Sequence, residues 1–310
     1  MQAVLNAALP IFALILTGFL CGRFGVFSRT ATDSLNRFAI YLALPALMFL
    51  AMSKITPEQA SQTGFSLAFG GGIVVTFAVG FALSRWRGRR IANASIEGLD
   101  AGYSNVGFMG IPLCLLVFGP SSLPAAVIAT LFTACVLFLF AIALIEVDLQ
   151  RDASLGRTMR KVLLSLVRNP LLLAPLAGVG IGLAGLPLPA PVERFASLLA
   201  GAASPCALVC IGLFLAQESV VGHDASSIGV LVGLKLLIQP AVTAVLALYV
   251  FDMPTLWSHS AVLLSALPIG SGPFTIAKLY GLEAGVTSGA ILVSHLVSVV
   301  TVSILVAWLG

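Results

Sequence analysis

Polar and helix-breaking residues interrupt two apolar stretches of the sequence at corresponding places. The first interruption reads NVGFMGIP (residues 105–112) and begins with Asn105, whose amide offers two donors and an acceptor. The second reads PIGSGP (268–273) and holds Ser271 between two glycines. A helix that restarts in mid-membrane presents free N–H groups and a partial positive charge. The paired interruptions therefore predict a binding site for a small anion near the middle of the membrane.

Each residue type in the two interruptions has a use at such a site. Glycines let the backbone turn and approach a ligand closely, and prolines suit the first turn of a restarting helix, where a missing N–H is harmless. Kinked helices, an asparagine that joins two helices, and hydroxyls bonded to their own helix are the structural alternatives. The candidate substrate-binding residues are Asn105, Gly107, Gly110, Pro112, Pro268, Gly270, Ser271, Gly272, Pro273 and Thr275.

Three isolated ionisable residues in the apolar stretches could carry charge or a coupling ion. Asp100 lies just over one helical turn before Asn105 and could bind a cation or a proton, or pair with an arginine at the membrane edge. Lys235 could face the cavity, where it would attract a carboxylate or replace a bound cation, or extend to the membrane surface. His295 could carry a proton or pack as a buried imidazole. Coupling to H⁺ or to Na⁺ stays open, and no cofactor or metal is expected.

Composition identifies the solvent of these stretches as lipid. The 310 residues are 59% hydrophobic and only 9% charged, whereas soluble domains have about 25% charged residues. A water-soluble fold of this size could not bury so much apolar surface. The net charge of +4 is too small to indicate nucleic-acid binding. The chain also lacks the phosphate-binding pattern G-x-x-x-x-G-K-[ST], so any transport would be driven by gradients and not by ATP.

The apolar stretches predict an all-α polytopic membrane protein with ten transmembrane helices. A span needs about 20 mostly apolar residues, and a helix satisfies its own backbone in lipid. The predicted spans are 4–22, 34–52, 64–84, 97–118, 123–146, 165–184, 195–216, 227–250, 257–280 and 286–308. The fourth and ninth spans hold the interruptions and are expected to be broken helices that cross.

Basic residues predict the topology. Twelve of the 16 lie on the first, third and fifth connections: Arg23, Arg29, Arg37, Arg85, Arg87, Arg89, Arg90, Arg151, Arg157, Arg160, Lys161 and Arg168. The positive-inside rule then puts these connections in the cytoplasm and both termini outside. Residues 1–146 form one five-helix repeat, 147–164 a short cytoplasmic connection, and 165–310 a second repeat of inverted orientation.

The two interruptions resemble the auxin efflux carrier family. Its asparagine followed by methionine–glycine–isoleucine–proline matches Asn105 and residues 109–112. Its ninth-helix pattern of leucine–proline, proline–phenylalanine and alanine–lysine before a tyrosine matches positions in ALPIGSGPFTIAKLYG (266–281). The ten-helix layout extends the resemblance over the whole chain. The short central connection is like that of the bacterial members, which are annotated for malonate or malate, and unlike that of the plant auxin exporters.

The resemblance implies a secondary transporter of the bacterial cytoplasmic membrane. Helices 1, 2, 6 and 7 would form a scaffold that joins two copies into a homodimer, and helices 3–5 and 8–10 would form the moving, elevator-like transport part. The substrate would be a small organic anion such as malonate, malate or an auxin-like carboxylate, held where the asparagine and prolines of the broken helices meet.

Two other function classes stay open on the residues alone. Ser271 and His295 could serve an intramembrane hydrolase, although the nucleophile motif G-x-S-x-G is not met because residue 273 is proline. An anion channel is the third class, although the paired breaks favour alternating access and no repeated filter sequence is present.

Overall fold

The computed structural model describes residues 9–149, 160, 164, 168–217 and 224–309. Within them the chain is helical apart from turns, loops and one short antiparallel backbone pair. The helices that position the site are α1 (Leu9–Arg23), α2 (Arg29–Met52), α3 (Pro57–Trp86), α4 (Ile91–Gly102), α5 (Val106–Phe118), α6 (Pro120–Leu149), α7 (Pro170–Leu183), α8 (Ala190–Gln217), α9 (Ala225–Val250), α10 (Thr255–Ser265), α11 (Gly272–Tyr280) and α12 (Gly285–Leu309).

Six of these helices, α2, α3, α6, α8, α9 and α12, are long and apolar enough to cross a membrane. Helices α1, α5 and α7 are shorter and also apolar. This is the architecture of a polytopic membrane protein, and it confirms the all-α prediction. Of the predicted central connection, residues 150–159 and 161–163 lie outside the described residues, together with Arg151, Arg157 and Lys161.

The first predicted break occurs earlier than the proline suggested. Helix α4 ends at Gly102 and α5 begins at Val106, so the break is residues 103–105. Pro112 does not open the restarting helix; it lies inside α5, after a wide π turn at Val106–Gly110. In that turn the Ile111 N–H reaches back five residues to the Val106 carbonyl, and such local widening relieves the ladder where a proline lacks its donor.

The second break lies where the sequence placed it. Helix α10 ends at Ser265 and α11 begins at Gly272, which leaves residues 266–271 outside both helices. Pro268 disfavours helical geometry at the residue before it, and Pro273 stands in the first turn of α11. Gly281, at φ 67°, adopts the left-handed conformation that ends α11.

Helix pairs pack closely on either side of the breaks. Helix α7 packs along α2 at small residues: a Cβ on Gly178 would lie 2.6 Å from the Phe49 carbonyl oxygen, and one on Gly182 would lie 2.8 Å from that of Met52. Helix α1 packs along α8, where Gly18 and Gly212 sit against the backbone of the facing helix. Helix α4 packs against α3, and α10 packs beside α9.

Candidate functional site: the crossing of two broken helices

The two breaks lie side by side and their backbones pair; we call this paired region the crossing. The Asn105 N–H donates to the Pro268 carbonyl at 2.9 Å, and the Gly270 N–H donates to the Tyr103 carbonyl at 3.1 Å. Ser104 and Ile269 form the centre of this antiparallel pair. Backbone groups buried in an apolar interior need such partners. The extended segments therefore satisfy each other where neither helix can.

Helix α12 holds both breaks from one side. The Ser294 hydroxyl oxygen accepts from the Ile269 N–H at 3.1 Å. His295 Nδ1 lies 2.8 Å from the Ile291 carbonyl oxygen, and Nε2 lies 3.2 Å from Asn105 Nδ2. A carbonyl can only accept, so Nδ1 carries the hydrogen and Nε2 accepts from the Asn105 amide. This fixes the Asn105 side chain and leaves its second N–H and its oxygen to face a ligand.

Helix α9 supplies a donor to the end of each first half-helix. Lys235 Nζ donates to the Ser265 carbonyl, the last of α10, at 2.7 Å. Gln239 Nε2 donates to the Gly102 carbonyl, the last of α4, at 3.1 Å. Both side chains are fully buried. Lys235 thus neither lines the cavity nor extends to the membrane surface; it occupies the position that a cation would take at a helix C-terminus.

A cavity of about 220 Å³ opens beside the crossing. It is lined by Thr32, Asp33, Asn36, Asn105, Phe108, Cys210, Ile211, Phe214, Gln217, Ser271, Phe274, Thr275, Ile291 and His295. No lysine or arginine occurs among these described lining residues. Positive potential for an anion must come from amide and hydroxyl donors and from the starts of α5 and α11.

The cavity separates two groups of helices. One wall belongs to the first turns of α2 and the last turns of α8, and the other belongs to the crossing and α12. Phe214 of α8 packs edge-on against Phe274 of α11 at 5.7 Å between ring centroids, and Lys278 Nζ lies 5.4 Å from the Phe274 centroid. A ligand in the cavity would therefore contact both groups of helices at once.

The predicted site residues divide into liners and supports. Asn105, Ser271, Thr275 and His295 line the cavity. The supporting residues shape the crossing: Gly107, Gly110, Pro112, Pro268, Gly270, Gly272 and Pro273.

Among the supporting glycines, Gly270 is close-packed, since a Cβ there would lie 2.7 Å from the Tyr103 ring, and Gly272 packs against Phe138. Asp100 and Lys235 are buried outside the cavity.

Sequence reasoning missed the wall contributed by α2 and α8. Thr32, Asp33 and Asn36 stand on the first turns of α2, at spacings that share a helix face, so their polar character was a readable signal. Gln217, at the end of α8, gave no such signal. Gln239 follows Lys235 by four residues, and that spacing could have marked it as a second donor on the same face.

The arrangement is suited to binding and not to bond cleavage. A serine nucleophile needs a base within hydrogen-bonding distance of its hydroxyl. Both ring nitrogens of His295 face partners other than Ser271. The donors around the cavity match the oxygens of a small polar ligand, and the surrounding aromatic rings match an apolar part.

An all-helical membrane protein with crossing helix breaks beside a cavity has the construction of a membrane transporter. Comparison with known families and proteins gives the same class. The profile of the family described as "Membrane transport protein" matches residues 3–306, so the chain belongs to this family and is an integral membrane transporter, not an enzyme.

Relatives include bacterial transporters and plant auxin carriers. The chain is 32% identical to "Putative malonate transporter" of Rhizobium meliloti over 98% of this chain and 95% of that protein. It is 25% identical to "Uncharacterized transporter YfdV" of Escherichia coli K12 over 94% of this chain and 93% of that protein. Over 43% of this chain it is 32% identical to "Auxin efflux carrier component 3a" of Oryza sativa, covering 22% of that protein. The resemblance to the auxin efflux carrier family is confirmed.

Proposed function

We propose that the protein is a secondary transporter that carries a small organic anion by alternating access, with the substrate in the cavity at the helix crossing. The observation that carries this proposal is the pairing of the two breaks beside a cavity lined by Asn105, Ser271, Thr275 and His295. Helix starts and neutral donors bind a carboxylate without a fixed counter-charge, which permits release as well as capture.

The fold supports ten membrane crossings in two inverted repeats. Each half runs from a short helix through two long helices to a broken pair and a final long helix: α1 to α6, then α7 to α12. Glycines with positive φ follow the first helix of each half, at Gly25 and Gly185. The first helix of each half packs on the second helix of the other, α1 on α8 and α7 on α2. Such reciprocal packing is expected of inverted repeats.

The same packing supports a division into scaffold and transport parts. We assign α1, α2, α7 and α8 to the scaffold and α3–α6 and α9–α12 to the elevator-like moving part. The cavity lies between them, so a sliding movement would expose its ligand to the two membrane faces in turn. The cavity touches the start of α2, beside Arg29 and Arg37, which the positive-inside rule assigns to the cytoplasm. Both termini would then lie outside a bacterial cytoplasmic membrane.

The scaffold also offers a surface for a homodimer. Phe195 and Leu198 on α8 are 66% and 74% exposed, and they lie on the scaffold and not on the moving part. Pairing through this face would anchor the scaffold while the transport part moves. Leu198→Cys should cross-link two copies in membranes; absence of any dimer in cross-linking and in mass measurement would contradict this assignment.

A mono- or dicarboxylate is the substrate class that fits the cavity. A volume of about 220 Å³ admits malonate or malate and also a carboxylate with one aromatic ring. The names of two relatives mention malonate and auxin, both of which are carboxylic acids. Phe108, Phe214 and Phe274 supply the apolar surface that an auxin-like molecule would need.

Uptake by proteoliposomes tests the proposal. Labelled malonate, malate and indole acetate are offered under imposed proton and sodium gradients. We expect wild type to move at least one of them, and Asn105→Ala to reduce that uptake strongly at equal protein content. Asn93→Ala is the matched control, because Asn93 lies on α4 outside the cavity and should retain wild-type uptake. No uptake of any carboxylate by folded wild-type protein, or full uptake by Asn105→Ala, contradicts the proposed site.

A further inference from the structure

Asp100 is a buried carboxyl group that the cavity does not use. Its side chain is 0% exposed on α4. Oδ2 accepts from the Thr287 hydroxyl of α12 at 2.8 Å, while Oδ1 is buried without a hydrogen-bond partner among the described residues. A carboxylate in an apolar interior needs several donors or a counter-charge, and Asp100 has one neutral donor. The Asp100 carboxylate therefore needs one positive charge to neutralise it. A proton on Oδ1 supplies that charge and fits without any change in the packing.

The position of Asp100 connects it to the crossing through two helices. On its own helix it lies three residues before the start of the first break, and α5 then starts directly after Asn105. On α12, Thr287 contacts Asp100, and His295 contacts Asn105. These two residues are eight positions apart, or about 12 Å at roughly 1.5 Å per residue. A change at the Asp100–Thr287 contact would therefore shift the helix that holds the crossing.

Glu97 offers a route from the basic end of the molecule. It lies one helical turn before Asp100 and is 8% exposed. The charges of Arg87 and Arg89 act on it, so it stands near the segment that the positive-inside rule assigns to the cytoplasm. A carboxyl group so placed can receive a proton from solution and pass it along α4.

Few charges act on Asp100 from the surrounding helices. Among the described residues, Glu97 is the ionisable side chain whose charge acts on the Asp100 carboxyl group. The other ionisable side chains on the packed elements are Glu58 and Arg85 on α3, Cys135, Glu146 and Asp148 on α6, Tyr249 and Lys235 on α9, Lys278 and Tyr280 on α11, and His295 on α12. Lys235 and His295, the buried ones that could exchange a proton, are bound to Ser265 and Asn105.

We propose that Asp100 is the proton-binding site that couples transport to a proton gradient. In the described state its carboxyl group is neutral: Oδ1 carries the proton, Thr287 donates to Oδ2, and α4 and α12 stay in contact. Loss of that proton through Glu97 leaves a charged carboxylate that must be hydrated, which separates α4 from α12 and moves the crossing. The described residues hold no cluster of three or more His, Cys, Asp or Glu, which disfavours a divalent metal ion, and the test below distinguishes a proton from a sodium ion. This inference rests on the proposed transport function.

The test compares gradient-driven accumulation with exchange in proteoliposomes that contain a pH-sensitive dye. Wild type should accumulate malonate under a pH gradient, with proton flux. Asp100→Asn, which is permanently neutral, should lose both while it still exchanges internal for external malonate. Asp252→Asn, in the exposed turn before α10, is the matched control and should behave as wild type. Gradient-driven accumulation with proton flux in Asp100→Asn overturns the proposal, and so does stimulation by a sodium gradient without proton flux.

A second variant covers the case in which Asp100→Asn does not fold. Thr287→Val removes the hydroxyl and keeps the shape of the side chain. The pH dependence of malonate exchange should therefore be shifted in this variant relative to wild type, and an unchanged pH dependence overturns the proposal. Infrared spectroscopy separates this inference from the proposed function. The carbonyl band of a protonated carboxylic acid should be present in wild type and lost in Asp100→Asn, whether or not malonate is the substrate. If wild type transports malonate but shows no such band, the proton site at Asp100 is contradicted while the proposed transport function stands.

Discussion

The two helix breaks form one crossing but are built differently. The first break has three residues, 103–105, and presents a side chain, Asn105, to the cavity. The second break has six residues, 266–271, includes one proline and one glycine, Pro268 and Gly270, and presents Ser271 to the cavity. The carbonyl that ends α4 is held by the neutral amide of Gln239, whereas the carbonyl that ends α10 is held by Lys235. The shorter break is thus held by an amide and the longer break by an amine.

This difference suggests that the breaks have separate duties. The first break is short, and it presents one amide, that of Asn105, which His295 holds in place beside the cavity. The second break packs closely against aromatic rings: a Cβ on Gly270 would meet the Tyr103 ring, and one on Gly272, the first residue of α11, would meet the rings of Phe138 and Tyr103. Both breaks contact α12, the first through His295 and the second through Ser294. A single helix can therefore move both halves of the site together.

The largest effect is expected from filling the second break. A Cβ at residue 270 would lie 2.7 Å from the Tyr103 ring, and overpacking of this kind costs about 1–3 kcal/mol. Gly270→Ala should push the paired segments apart and abolish malonate uptake. At Gly107 in α5 the nearest atom would be 3.6 Å away, so Gly107→Ala should retain most uptake. Equal loss of uptake in Gly270→Ala and Gly107→Ala would show that the second break is packed no more tightly than α5.

A smaller effect is expected from the donors on α9. Leaving a buried carbonyl without its donor costs about 1–3 kcal/mol. Lys235→Met should reduce uptake more than Gln239→Leu, because it releases the end of α10 and the longer break with it. Initial uptake rates at matched expression provide the measurement. A larger loss of uptake in Gln239→Leu than in Lys235→Met would show that the first break, and not the second, depends more on its donor from α9.

The smallest effects are expected on α12, where the two breaks should respond differently. Ser294→Ala leaves the buried Ile269 N–H without its acceptor, which costs about 1–3 kcal/mol and should lower the thermal midpoint. His295→Leu removes one partner of the Asn105 amide and should weaken malonate binding several-fold, on the order of 1 kcal/mol, with a smaller change in thermal midpoint. Thermal unfolding and titration of malonate on both variants distinguish the two roles.

Local residue types predicted the existence of both breaks but not the way they meet. Pro268 and Pro273 act on their own neighbours, so the second break fell where expected. Pro112 misled the placement of the first break because the π turn at Val106–Gly110 absorbs its missing donor. The pairing of Ser104 with Ile269 joins distant parts of the chain, and no local pattern encodes it. On the α2–α8 wall, the polar face of α2 was readable from the sequence, but its place beside the crossing was not, because it too depends on contacts between distant parts of the chain.

The central claim is that a carboxylate binds at the crossing against the Asn105 amide. Solid-state NMR can test it directly on protein labelled with ¹⁵N at asparagine and saturated with malonate labelled with ¹³C at its carboxyl carbons. We predict a dipolar coupling between a ligand carboxyl carbon and an asparagine side-chain nitrogen that persists in Asn36→Ala, which removes the other asparagine lining the cavity, and disappears in Asn105→Ala. Bound malonate without that coupling, or with a coupling that survives the loss of Asn105, would contradict the account.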